Sequence, residues 1–228
     1  MWSRLEVDGR DLGIDRTLNH QIFFAGAAAS LRDYSKHVDE DLSRFIAKLP
    51  NRMGTYPSGL IKHHVWTTPS ELSSLVSSRT YRTLAGGVPL YLRNYVPSNR
   101  IRDKEIAYHS FNLYGLSMLK KAYPNASTWE TDLIEDVVSY ATTADYLDAV
   151  SSLERGFNNI LTGFHVGLCL WTFWEDVDAE DWQWWVTEQL RRGYDFDANR
   201  LDAGAADPTL QASKIFIIAS LPDFELSG

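Results

Sequence analysis

The sequence predicts a mainly α-helical domain built from antiparallel helix pairs, with one small β-hairpin near residues 52–66. Three observations predict it. Apolar residues recur at helical spacing along most of the chain. Capping residues, prolines and glycines break these stretches at short intervals. Short β-prone pieces cluster where Gly54, Pro57 and Gly59 punctuate the chain. At 228 residues, 44% hydrophobic and 23% charged, residues 1–228 suffice for a single packed domain.

The elements follow in order. Asp8 to Gly13 read as turns. A helix is expected from about Asp15, as N-cap, to Arg32, and a second from about Asp39 to Lys48, ending before Pro50. The hairpin should turn at Pro57-Ser58-Gly59. Ser70 opens a helix through Leu84, stopped by Gly86-Gly87. Asp103 caps a helix through Ala122, ended by Pro124, and Ser127 or Thr128 opens another through about Tyr140. Helices near Asp145–Leu153 and Asn158–Trp174 precede an amphipathic one from Asp178 to Arg192. Asp207-Pro208 starts the last, which runs to about Ser220. Helix–short loop–helix alternation of this kind gives an all-α array.

Composition narrows function. A formal charge of −8 leaves no basic footprint for nucleic acid. It also makes an acidic polymer an awkward partner unless a local basic patch lines the site. Lys supplies seven of the 22 cations and Asp outnumbers Glu nineteen to eleven, a bias that a high-salt host would produce. The single cysteine, Cys169, excludes an internal disulfide and a Cys-based zinc site, and its apolar surroundings predict a buried, inert thiol. The first residues lack the apolar core of a signal peptide. The longest apolar stretch, Ile22 to Ala29, is too short for a membrane span. A cytoplasmic location, no membrane partner and no cofactor are expected.

Two constellations could carry chemistry. In the first, Arg16, Asn19, His20 and Phe23 fall within an arc of about 100° on one helix face. A cation, an amide and an imidazole on the first turns of an apolar helix form either a site or a hydrogen-bonded cluster that fixes where the helix begins. In the second, Ala107, Phe111, Tyr114, Met118 and Ala122 form an apolar face. Glu105, His109 and Asn112 lie on the other, which continues into Leu113 and Leu116. A polar face that turns leucine-rich suggests a pocket floor, although a lone buried histidine is more often structural.

Asn19-His20 near a helix start, and Tyr108-His109 with Asn112 followed by Leu113-Tyr114-Gly115-Leu116, resemble motifs of alginate-lyase-like proteins. More broadly they resemble the six-hairpin α/α-toroid carbohydrate-active superfamily. The likeness covers two helices, about a sixth of the chain. Leu18 stands where many such lyases have a second Asn. The resemblance implies a partial (α/α) toroid, since about four helix pairs fit in this length. Its open flank would be covered by a missing N-terminal segment or by a second copy in a homo-oligomer. The implied chemistry is β-elimination of a uronic-acid glycan, with carbohydrate as partner. Arg16 and Asn19 would neutralise the carboxylate, His20, His109 or Tyr108 would act as base and acid, and Glu105 and Asn112 would help bind substrate. A six-hairpin glycoside hydrolase is an alternative, as is a non-catalytic helical scaffold that binds a glycan or a partner.

Other features point less to chemistry. His63 and His64, adjacent in an expected strand, should point to opposite faces, which argues against a shared metal; no metal is expected. Asp15, Glu105, Glu154 and Asp197 could supply a glycosidase pair, but no spacing brings two together. Trp171, Trp174, Trp182, Trp184 and Trp185 have the helical spacing of core residues.

Overall fold

The computed structural model describes residues 1–65, 98–174, 179–201, 209, 212 and 214–224. The expected helix from Ser70 to Leu84 and the Asp207-Pro208 start of the last helix lie outside them. Among the described residues helix dominates. The α-helices are α1 (Leu18–Ala28), α2 (Lys36–Lys48), α3 (Asn99–Ala122), α4 (Asp132–Tyr140), α5 (Ala144–Ser152), α6 (Thr162–Phe173) and α7 (Ala179–Gly193).

Three of these helices run parallel, side by side. Phe23 stacks on Phe111, and Gly26 abuts Met118, so the residue numbers of α1 and α3 climb together. The same holds between α3 and α6, where Ser110 bonds Thr162, Tyr114 stacks on His165 and the Lys120 ammonium bonds the Phe173 carbonyl. Each parallel helix has an antiparallel companion: α2 for α1, α4 for α3 and α7 for α6. The seams are tight. A Cβ on Gly115 would lie 2.7 Å from Ile22 Cγ2, and one on Gly163 would lie 2.2 Å from the Trp185 carbonyl oxygen. Glycine therefore lets these helix axes approach.

Local sequence explains the elements. Ser35 caps α2 by accepting from the Val38 N–H at 3.5 Å, and Leu42, Phe45 and Ile46 bury one stripe of it. Asp15 does not cap α1. Thr17 holds the N-cap position without a side-chain bond, and the helix tightens into a 3-10 turn over Ala29–Tyr34. Ser127 opens a 3-10 turn, Ser127–Glu130, ahead of α4.

The expected Asn158–Trp174 helix is interrupted. A π turn over Gly156–Ile160 ends at Leu161, which adopts φ 60°, a left-handed conformation costly for a leucine. Buried Gln189 holds the break together, accepting from the Gly163 N–H at 3.1 Å and donating to the Phe157 carbonyl at 3.0 Å. The last described helical segment, Lys214–Ser220, is 3-10.

Regular strands fall elsewhere than expected. Ser3–Leu5 (β1) pairs with Asp11–Ile14 (β2), and Tyr194–Asp195 (β3) with Arg200–Leu201 (β4), both antiparallel. The 52–65 stretch does reverse at Pro57-Ser58-Gly59, where the Tyr56 N–H bonds the Leu60 carbonyl at 2.9 Å. It carries only isolated bridges, Thr55 with Ile61 and His64 with Thr17. Bonds from the Leu18 N–H to His63 and from the Val65 N–H to Arg16 lay this stretch across the start of α1.

Cys169 is wholly buried, and burial pushes its thiol up to about 12. Trp182 and Trp185 pack in the core, while Trp171 and Trp184 are exposed. No helix among the described residues is long and apolar enough to cross a membrane.

Candidate functional site

The N-terminal half of α1 and the 61–65 stretch bring four titratable groups together. His20 Nδ1 lies 2.9 Å from Asp15 Oδ2. An ionised carboxylate only accepts, so Nδ1 is the donor of this bond. Asp15 is itself held, Oδ1 accepting from the Thr17 N–H at 2.9 Å. Burial pushes this carboxyl up, but the Thr17 bond and the His20 ring outweigh it, and Asp15 stays below its usual range. Asp15 is buried, whereas 59% of the His20 side chain faces solvent.

His63 lies close to this pair. Burial, helped by the His64, Lys104 and His20 charges, pulls its ring down to about 4. The His63 and His64 rings meet edge-on with centroids 4.9 Å apart, which corrects the expectation of opposite faces. The stretch is bent and singly bridged, so strand alternation does not govern it. Among the described residues no group of three or more His, Cys, Asp or Glu is arranged to hold a metal.

From His63 a run of rings crosses the three parallel helices. His63 stacks near Tyr108 at 5.9 Å, Tyr108 meets Phe111 edge-on at 6.4 Å, and Phe111 stacks on Phe23 at 4.9 Å. The His165 ring closes the run, edge-on to Phe111 at 5.7 Å and stacked on Tyr114 at 5.0 Å. Burial, with the nearby Lys214 charge, drives His165 well below the ordinary histidine range. Along this run several buried polar atoms lack a hydrogen-bond partner: Asn19 Oδ1, Asn112 Oδ1, His63 Nδ1 and both ring nitrogens of His165. Unpaired buried polar atoms cost about 1–3 kcal/mol each; the Tyr146 hydroxyl, beside His109 on the α4 side, is a further one.

The expected residues do not all meet there. His20 and Phe23 are exposed and Tyr108 is half-buried; Asn19 of α1 and Asn112 of α3 are buried; Arg16 follows Asp15 just ahead of α1. His109 and Glu105 point elsewhere. His109 is fully buried on the α4 side, its Nδ1 accepting from the Ile61 N–H at 3.4 Å and its Nε2–H donating to the Val137 carbonyl at 3.1 Å. That carbonyl is among the last four of α4, which have no partner within the helix. Burial pulls the His109 ring down to about 3. Glu105 is buried and holds the 53–65 stretch to α3, accepting from the Tyr56 hydroxyl at 2.8 Å and the His63 N–H at 3.0 Å. Burial raises its carboxyl despite both bonds.

Sequence reasoning missed His63, Phe23 as a stacking partner for Phe111, and His165. The first lies in an irregular stretch whose side-chain directions no period gives. The last reads as one polar residue inside a buried apolar helix.

Comparison with known proteins adds one relative. The chain is 30% identical over 230 residues to a protein of Haloferax volcanii named "Archaeal glycosylation protein Q", an alignment that takes in 99% of this chain and 62% of the relative. The chain thus spans less than two thirds of that protein's length. No family model and no solved structure matches the chain.

Proposed function

We propose that the protein acts on a glycan containing uronic acid, by β-elimination, with His20 as the base. The observation that carries this reading is the Asp15–His20 pair at the exposed edge of the aromatic run. The relative named for glycosylation supports the glycan. Aromatic faces suit the apolar side of a sugar ring, and the unpaired amide oxygens of Asn19 and Asn112 suit its hydroxyl groups. The three parallel helices with antiparallel companions are what an open sector of an α/α toroid presents.

In this reading Asp15 fixes the His20 tautomer and stabilises the imidazolium that forms. Nε2 takes the proton α to the uronate carboxylate. The C–H electron pair becomes a carbon–carbon double bond, the bond to the glycosidic oxygen breaks, and the Tyr108 hydroxyl gives that oxygen its proton. Arg16 and Asn19 offset the charge that builds on the carboxylate. His109 and Glu105 position the walls of the site and touch no substrate.

The test uses the purified chain with alginate and polygalacturonate, followed by absorbance near 235 nm, where the unsaturated product absorbs. A rising signal that His20→Ala reduces by at least about a hundredfold is expected. No signal on any uronate polymer overturns the elimination. New reducing ends without that absorbance would indicate hydrolysis instead.

A further inference from the structure

The β1–β2 hairpin is tied to the start of α1 and brings a cation to the Asp15–His20 pair. Ser3 pairs with Ile14, which places the next residue of β1, Arg4, near Asp15. Buried Gln21 locks the two segments together. It accepts from the Trp2 N–H at 2.8 Å and donates to the Trp2 and Asp15 carbonyls, each at 2.9 Å. The Asp15 N–H adds a bond to the Trp2 carbonyl at 3.2 Å. Backbone and a buried amide thus set how the two segments lie, and with them the approach of Arg4 to Asp15.

One oxygen of Asp15 serves two groups. His20 Nδ1 lies 2.9 Å from Oδ2 and Arg4 Nε lies 3.7 Å from the same atom. The second distance is that of an ion pair, beyond hydrogen-bond reach. Asp15 is buried, whereas 57% of the Arg4 side chain faces solvent. The other ionisable groups around the pair are Arg16 just ahead of α1, and His63 and His64 of the 61–65 stretch. Helix α3 adds Lys104 and Glu105, which act on His63, and Tyr108, which stacks near it. A cation beside a carboxylate offsets part of its negative charge, so less of that charge remains to hold a proton on a neighbouring imidazole.

We propose that Arg4 is a positioning residue for the base: lying against the Asp15 oxygen that His20 uses, it keeps that carboxylate from locking a proton onto the ring. The inference rests on the reading of His20 as the base. Without Arg4 the charge of Asp15 falls on His20 alone, and the ring holds its proton to higher pH. The effect is modest because Arg4 is exposed. A unit charge several ångströms away in water-like surroundings moves a titration by about half a pH unit.

Proton NMR titration of the whole chain tests this without substrate, at low salt, where exposed charges are least screened. The His20 ring signal is assigned by its loss in His20→Ala. Arg4→Gln should raise its midpoint by about half a pH unit. Arg4→Lys, which keeps the charge, should restore most of the parent value, and Arg10→Gln, in the turn of the same hairpin, should leave it unmoved. The 235 nm rate should follow, with Arg4→Gln about threefold slower at pH 6, little changed at pH 8, and KM unaltered. An unmoved midpoint in Arg4→Gln, the same rise in Arg4→Lys, or an equal rise in Arg10→Gln overturns the proposal. So does a higher KM at every pH with the acid limb unchanged, which would make Arg4 a substrate contact. A raised midpoint in a chain that gives no 235 nm signal upholds the hold of Arg4 on His20 and overturns only the elimination.

Discussion

Helix α3 carries two histidine environments that the sequence presents as one. On the side facing α4, His109 is sealed among Ile61, Val137, Tyr140 and Tyr146, both nitrogens bonded to backbone. On the side facing α1, Tyr108 and Phe111 meet Phe23 and His63, and polar atoms are left without partners. A histidine with both nitrogens bonded holds elements together, whereas His165 has neither ring nitrogen bonded. The difference lies in what the neighbouring elements bring to each face, which helical periodicity alone does not report.

The sharpest way to break this comparison is to remove the sealed ring. His109→Ala should cost about 3–5 kcal/mol, combining a large buried cavity with an Ile61 N–H and a Val137 carbonyl that lose their partner. Chemical denaturation reads it directly. A loss below about 1 kcal/mol would show that the ring is not a clamp, and would return His109 to the candidates for catalysis.

Much of the fold was legible and much of the site was not, for separable reasons. The α3 helix announces itself through 24 residues closed by Pro124, and Cys169 through its apolar run. Strong periodicity with clear stops leaves little choice. The π turn ending at Leu161 was not legible, because Gln189, 28 positions further on, holds it. The β1–β2 hairpin read as turns because only Ser3–Leu5 and Asp11–Ile14 pair, around Gly9 at φ 83°. Asn19 and His20 were rightly placed near a helix start, but the approach of His63 to the Asp15–His20 pair depends on how the 61–65 stretch crosses α1. Contacts of that kind are set by tertiary packing.

Acid offers a graded test of the buried histidines. The His109 ring is held at about 3 when folded and His63 at about 4, against about 6.5 in an unfolded chain; burial depresses His165 as well. Between those limits the unfolded chain binds more protons. Stability is therefore fully present above about pH 6.5 and is lost as pH falls toward the folded values. Each such histidine contributes a slope of up to about 1.4 kcal/mol per pH unit. Asp15, held low, adds to the loss at the acid end, while Glu105, held high by burial, offsets part of it. Denaturation from pH 7 to 5 should show falling stability, and His109→Gln should flatten the slope by about one proton. A pH-independent stability over that range would mean that these rings are solvated.

The smallest expected effect sits on the open side. His20→Ala removes a ring whose side chain is 59% exposed, although its partner Asp15 is buried. A bond whose histidine is this exposed contributes about 0–1 kcal/mol. Asp15 keeps its bond from the Thr17 N–H and its ion pair with Arg4 at 3.7 Å. Denaturation should therefore place this variant within about 1 kcal/mol of the parent, even if the 235 nm signal disappears. If His20→Ala instead destabilises the chain as much as His109→Ala, the Asp15–His20 pair is a clamp like the one on the other face. The contrast between the two sides would then vanish, and with it the reason to place the base at His20.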